Sequence, residues 1–170
     1  MENKVQTSPV KIIQASTKEH FEATRQLFKE YYELLYTLPR MTLNMDLQTH
    51  SNELADLENG KYIPPYGAIL LSITNNEYAG VIAVRKLENE TCEMKRLYVR
   101  PQYRGSSIGL HLVERILQKA HELGYRKMRL DTHPDMTSAH RIYYALGFYD
   151  IPQYNQNNVP GALFMEVTLK

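Results

Sequence analysis

Glu93-Met94-Lys95-Arg96-Leu97-Tyr98-Val99-Arg100-Pro101-Gln102-Tyr103-Arg104-Gly105-Ser106-Ser107-Ile108-Gly109 reads as a strand, a tight turn and the opening of an amphipathic helix. Pro101, which has no amide to give a ladder, ends the strand. Small residues at 105, 106, 107 and 109 let ligand atoms approach the backbone. The first helical amides, Ser106 to Gly109, have no intrahelical partners and stand at the positive end of the helix dipole. An anion fits there, and a pyrophosphate fits best because several amides converge. Arg104 adds a charge-assisted donor. The same residues also suit a plain strand-to-helix turn packed with small side chains, so the turn alone leaves both readings open.

Two rival phosphate motifs can be tested directly. A P-loop needs Gly-Lys-Ser/Thr after four spacer residues, and the chain has no such run. The dinucleotide fingerprint needs G-x-G-x-x-G, whereas only Gly105 and Gly109 are present. Asp131, at the end of the next strand, mimics that motif's ribose-binding acid. The strands before Glu93, however, read as hairpins rather than βαβ units. A nucleotide-cofactor oxidoreductase is therefore the weaker rival.

Outward from this stretch the pattern is regular. Downstream, Ser106 to Leu123 is a helix, with Ile108, Leu112, Val113, Ile116, Leu117, Ala120 and Leu123 at helical spacing and Gly124 as the stop. Lys127 to Asp131 is a strand, Pro134 to Leu146 a helix closed by Gly147, and Phe148 to Ile151 and Ala162 to Leu169 are two last strands. Upstream, Gly67 to Ile73 and Tyr78 to Lys86 form a hairpin about Thr74-Asn75-Asn76-Glu77, and Glu90 or Thr91 to Val99 is the strand that follows. Val10 to Ala15 is a first strand. Ser16 to Glu19 has the form of a capping box before a helix stopped by Pro39. Its stripe is Phe21, Leu27, Phe28, Tyr31 and Leu35. Asp46 to Leu57 is a shorter helix. The order β-α-α-β-β-β-α-β-α-β-β predicts an α/β fold of the α+β kind, with a mixed sheet and helices on its faces.

Composition sets the outer limits. The 170 residues carry 20 basic and 19 acidic side chains, a net charge of +1, with 43% hydrophobic and 23% charged residues. This suits one globular domain over 1–170, with 1–8 expected to be disordered. The balance argues against phosphate-neutralising nucleic-acid binding and against a polybasic membrane clamp. No segment reads as a signal peptide or membrane span. With Cys92 as the single cysteine, no internal disulfide forms, and a soluble, cytoplasmic protein is expected. The six histidines are scattered without metal-ligand spacing, so no metal is expected. Aromatics are 13 Tyr, 4 Phe and no Trp.

Gln102-x-x-Gly105-x-Ser107 resembles the Gln/Arg-x-x-Gly-x-Gly/Ala signature of the GNAT superfamily of acetyl-CoA-dependent N-acetyltransferases, departing at Ser107. The register Arg104-x-x-Ser107-x-Gly109 departs at the same residue. Ala139 to Phe148 is similar to the superfamily's A-x-x-x-Y-x-x-x-G-F block, with Met136 where an Asn is usual. The motifs span about Thr91 to Phe148 and the element order agrees, so the chain resembles a GNAT-like domain.

The resemblance implies that acetyl-CoA, as acyl donor, lies between the strand ending at Val99 and the strand Lys127 to Asp131. Leu97, Tyr98 and Val99 would pair with the pantetheine as an added strand does. Arg104, Gly105, Ser106, Ser107, Ile108 and Gly109 would hold the pyrophosphate. Tyr143 matches the tyrosine that protonates or hydrogen-bonds the CoA sulfur. On spacing alone it is instead a core aromatic beside Ala139 and Leu146. Glu93 matches a strand glutamate that is general base in some members, a role needing a pKa raised by burial. Its other reading is a solvated carboxylate near Lys95 and Arg96. The Leu97 amide is the expected oxyanion donor, and His133 is an alternative base.

Direct transfer to an amine is implied, with Cys92 a buried strand thiol rather than a nucleophile. The acceptor is expected to be a primary amine of a small molecule or peptide. It would be bound by Pro39 to Asp46 and Pro152 to Pro160, with Met41, Asn44, Tyr154, Asn155 and Asn157, and with Tyr62 and Tyr66 nearby. Tyr31, Tyr32 and Tyr36 are expected to be faces of the first helix. Such weakly charged groups favour a small amine or a peptide N-terminus over a strongly polyanionic or polycationic acceptor, such as a polyamine. A homodimer is the default the resemblance suggests. A non-catalytic acyl-CoA-binding or sensing module on the same fold is the second function class.

Overall fold

Thr17 opens the first long helix, its hydroxyl accepting the His20 amide at 3.2 Å, while the Ser16 amide donates to His20 Nδ1. The cap thus stands one residue beyond the predicted Ser16, and His20 takes the place expected of Glu19. The computed structural model describes residues 8–40 and 47–170. Its elements run β1 (Lys11–Gln14), α1 (Lys18–Thr37), α2 (Leu47–Ala55), β2 (Ala68–Thr74), β3 (Glu77–Glu88), β4 (Thr91–Val99), α3 (Ile108–Glu122), β5 (Lys127–Thr132), α4 (Thr137–Ala145), β6 (Tyr149–Asp150) and β7 (Leu163–Thr168). This is the predicted order. Residues 1–7 and the expected acceptor residues Met41 and Asn44 lie outside the described residues.

Where helix boundaries differ from expectation, local bonding explains it. The third helix starts at Ile108 rather than Ser106 because Ser107 is left-handed, with φ 63°. The fourth starts three residues late because His133 first closes a turn, accepting the Asp135 amide on its ring and the Met136 amide on its carbonyl. Asn75 and Asn76, both at positive φ, make the tight hairpin turn between β2 and β3, a conformation asparagine tolerates.

The strands form one mixed sheet in the order β1-β2-β3-β4-β5-β7-β6. Every neighbouring pair is antiparallel except β4 with β5. A single parallel pair is not the wound sheet a dinucleotide-binding domain requires, so the oxidoreductase alternative loses its scaffold.

Alternation along the central strands supplies two cores. Ala68 and Leu70 of β2 and Ile82 and Val84 of β3 join Ile108, Leu112, Val113 and Ile116 of α3 and Tyr143 of α4. Ile69, Leu71, Val81 and Ala83 point the other way, onto Leu27, Phe28, Tyr32 and Leu35 of α1. Each fully buried Val, Leu, Ile or Phe among them contributes about 1.5–3 kcal/mol. Strands buried on both faces hold the sheet rigid beneath the site. Among the described residues no helix is long and apolar enough to cross a membrane.

Candidate active site

The two parallel strands touch over only part of their length. β4 and β5 are paired at Thr91–Lys127, Cys92–Met128 and Glu93–Arg129, and not beyond. Past that point β4 continues against β3 as far as Val99, and β5 continues against β7 as far as Thr132. Their facing edges are left open. Three residues beyond the last pair, β4 carries a bulge. Lys95 pairs with Ala83 and Tyr98 with Val81, so Arg96 and Leu97 together oppose Ile82. Arg96 sits at φ 61°.

A cavity of about 440 Å³ fills the opening. Met94 to Leu97 of β4 and Leu130 to Thr132 of β5, with His133 just after it, form its sides. Tyr143, Ala139 and Met136 close one face, Tyr31 and Leu35 of α1 with Thr49 and His50 of α2 another, and the segment 155–159 the third. The structure therefore brings together Leu97, Tyr143, Asn155 and Asn157 from the expected set. Tyr31, expected to be helix face only, also lines it.

The turn after β4 leads into the start of α3. Among the described residues no acceptor meets the amides of Ser107, Ile108, Gly109 and Leu110; the first helical bond runs from His111 to Ser107. Around Gly105, at φ 80°, nothing lies within 4 Å of where a Cβ would stand, so this backbone is open. Gly109 differs. A Cβ there would meet Ile142 Cδ1 at 3.2 Å, so its smallness serves the packing of α3 on α4 as well as any ligand. Ile108 sends its side chain into the core and leaves only its amide for binding. Arg104 Nε donates to the Val99 carbonyl at 2.9 Å, and its guanidinium lies 5.8 Å from the buried Tyr98 ring.

Tyr143 is buried, packs against Phe148, and makes no side-chain hydrogen bond among the described residues. Burial pushes its phenol above the usual range, so it remains protonated. It is a core aromatic, as its spacing predicts, and it also lines the cavity.

Glu93 departs from expectation. It is fully buried and is not in the cavity wall. Arg85 donates to Oε1 at 2.8–2.9 Å, Lys95 stands 3.5 Å away, and the Tyr154 hydroxyl donates to Oε2 at 2.7 Å. Burial pushes its carboxyl up, but Lys95, Arg85 and Tyr154 together outweigh this and hold it below the usual range. The raised pKa that a base role requires is absent. It is not a solvated carboxylate either.

His133 is also committed. Its Nε2 faces the Pro39 carbonyl at 2.8 Å and therefore carries the proton, while Nδ1 accepts the Asp135 amide at 3.1 Å. No lone pair remains for a substrate proton. Cys92 is buried, donates to the Lys127 carbonyl and is pushed up to about 12 by burial, as befits an inert strand thiol. Among the described residues no group of three or more His, Cys, Asp or Glu is placed to hold a metal.

Of the expected acceptor tyrosines, Tyr62 is core, bonded to Glu53, Tyr66 is exposed under Lys86, and Tyr154 stands behind the wall on Glu93. Asp131, considered in the sequence only as a ribose-binding acid, is the one carboxylate among the described lining residues. It accepts from Lys95 at 2.8 Å and from Asn157 at 2.7 Å. Burial raises its pKa, but Lys95 and the asparagine amides bring it below the usual range. The cavity wall is thus less neutral than expected, with Lys95, Arg96 and Asp131 in it, all paired. Charges inside an apolar strand at 95–96 were the available signal; nothing in the sequence alone points to Glu53 as partner.

A model of the acetyltransferase (GNAT) family matches residues 21–148. The chain belongs to this family. Membership makes it an enzyme of the acetyltransferase class. An uncharacterised N-acetyltransferase of Schizosaccharomyces pombe is 32% identical to this GNAT chain over 95% of it and 96% of the relative. The mouse N-acetylaspartate synthetase is 29% identical over 64% of the chain, which spans only 37% of that enzyme. Among solved structures, a GNAT acetyltransferase from Staphylococcus aureus superposes with a TM-score of 0.76 at 20% identity, covering 95% of this chain and 100% of that one. The PaiA N-acetyltransferase of Thermoplasma acidophilum, solved with coenzyme A, gives 0.69 at 17% identity, covering 94% and 99%. At these identities the likeness is one of fold.

Proposed function

We propose that this GNAT member transfers an acetyl group from acetyl-CoA directly to a primary amine of a small molecule or peptide. The observation that carries the reading is the internal opening between β4 and β5, with free helix amides beyond one strand end and a protonated phenol inside. Open strand edges suit the amides of a pantetheine arm. The amides of Ser107 to Leu110, at a helix N-terminus, suit a pyrophosphate, and Arg104 can turn its outer nitrogens to it while Tyr98 supports the guanidinium. Leu97 and Val99 supply the strand backbone, and Gly105 and Ser106 leave room. The residues present therefore fit the donor, which when bound supplies a thioester carbonyl to the cleft.

The Leu97 amide, at the bulge, donates to the oxygen that gains charge. Tyr143 keeps its proton at working pH and gives a hydrogen bond, then the proton, to the departing sulfur. With Glu93 and His133 committed elsewhere, the amine loses its proton to water. Asp131 stays ionised and draws the acceptor's ammonium group into the cleft. The paired state of Lys95 and Arg96 leaves no net cationic or anionic surface for a polyion.

Free-thiol release from acetyl-CoA across a panel of amines, peptides and aminoglycosides tests the reading. Amine-dependent release is expected. Binding of acetyl-CoA with no release for any acceptor would establish the non-catalytic alternative, and a polyamine as best substrate would overturn the acceptor assignment.

A further inference from the structure

Arg96 stands in the middle of β4 with φ 61°. Asn75 and Asn76, which also have positive φ, occupy a turn that asparagine tolerates. A long side chain within a strand does not favour this region, and such strain persists only where surrounding contacts dictate it. Those contacts are visible. Arg96 Nε and Nη2 donate to Glu53 Oε2 and Oε1 at 2.8 and 3.1 Å, a planar two-point grip that only arginine makes. Its guanidinium also lies 5.2 Å from the Tyr32 ring and 5.9 Å from the Tyr31 ring.

Glu53 is in turn fixed from every side. It is almost fully buried, and it accepts the Tyr62 hydroxyl at 2.7 Å, the Tyr32 hydroxyl and Lys61 Nζ at 3.0 Å. Burial pushes its carboxyl up, yet Arg96 and Tyr32 bring it well below the usual range. One carboxylate on α2 thus collects groups from α1, from the segment before β2 and from the bulge.

We propose that Glu53 is a positioning residue for acetyl transfer: by gripping Arg96 it holds the left-handed bulge that turns the Leu97 amide into the cleft. The proposal rests on the transferase reading above. Glu53 lies outside the cavity wall and acts through Arg96 alone.

Glycine adopts positive φ without strain, which separates positioning from simple adhesion. In E53Q, kcat for thiol release should fall at least about tenfold while KM for acetyl-CoA changes less than about twofold, the pattern of a lost transition-state contact. R96A loses the grip but keeps a Cβ and should be similarly slow. R96G frees the backbone to take the bulge unaided and should exceed R96A by at least about fivefold. Adding E53Q to R96G should cost nothing further. Equal rates for R96A and R96G, or an E53Q enzyme with full kcat, would overturn the proposal. If E53Q does not fold, the R96A and R96G pair still decides. Backbone carbon chemical shifts at residue 96 give a reading independent of turnover: left-handed in the wild type and R96G, extended in E53Q and R96A. If the wild type releases no thiol with any amine, the transferase reading fails, and these shifts still establish or refute the hold of Glu53 on Arg96.

Discussion

The Tyr154 hydroxyl donates a 2.7 Å hydrogen bond to Glu93 Oε2, fastening the loop before β7 to the inside of β4. With Arg85 and Lys95 on the other oxygen, Glu93 is an ion-paired crosspiece. Glu93→Gln should therefore lower stability by about 3 kcal/mol, because the fully buried carboxylate is lost and the partly buried Arg85 is left without its partner. The pH dependence of turnover should keep its shape. Denaturant unfolding and a pH-rate profile check both, and loss of the acidic limb in the variant would restore the base assignment.

Tyr143→Phe removes one hydroxyl and keeps the ring packed on Phe148. Turnover should drop by about 10²-fold, with acetyl-CoA affinity nearly unchanged, since the phenol acts on the departing sulfur. Steady-state kinetics paired with calorimetric CoA titration separates the two quantities. A variant of normal speed would return Tyr143 to a purely structural role.

Acid should unfold the protein through three buried carboxylates. Glu93, Glu53 and Asp131 are all held below their ordinary values of 4.5, 4.5 and 3.8. The unfolded chain takes up protons near those values, whereas the folded chain resists until lower pH. Their contribution is thus complete above about pH 5 and is lost as pH falls through the folded pKa values. Thermal melts between neutral pH and about pH 3 should show a steep fall in Tm on the acid side. A flat profile would contradict the paired geometry.

Ser107→Gly should stabilise the fold by about 1 kcal/mol, because Ser107 holds φ 63°, where a Cβ is unfavourable. The amide remains, so acetyl-CoA binding should be retained. Chemical denaturation and CoA titration test the pair. Weaker binding would mean that the Ser107 hydroxyl contacts the phosphates.

The order of elements could be read because each strand and helix carries its own period and its own stop. Asn75-Asn76 and Gly124 punctuate the chain locally, and the structure follows them closely. The bulge could not be read in this way. Thr91 to Val99 runs as one unbroken strand in sequence, and the residue that bends it, Glu53, lies on another helix. Tyr143 and Leu97, both in the cavity wall, could be placed from sequence because a motif fixes their position relative to the turn. Glu93 misled because a carboxylate on a strand looks the same whether it faces solvent or is locked by Arg85, Lys95 and Tyr154. Asp131 was misread for a related reason: its partners, Lys95 and Asn157, reach it only once the sheet is assembled.

The opening between β4 and β5 also bears on how the molecule keeps to itself. A strand with unpaired amides and carbonyls is a template on which another chain can add. Here that template is inside the sheet, walled by α1, α4 and the 155–159 segment. Whatever adds there must enter between these walls. The chain thus carries unpaired strand edges inside its sheet, apart from the outer edges at β1 and β6.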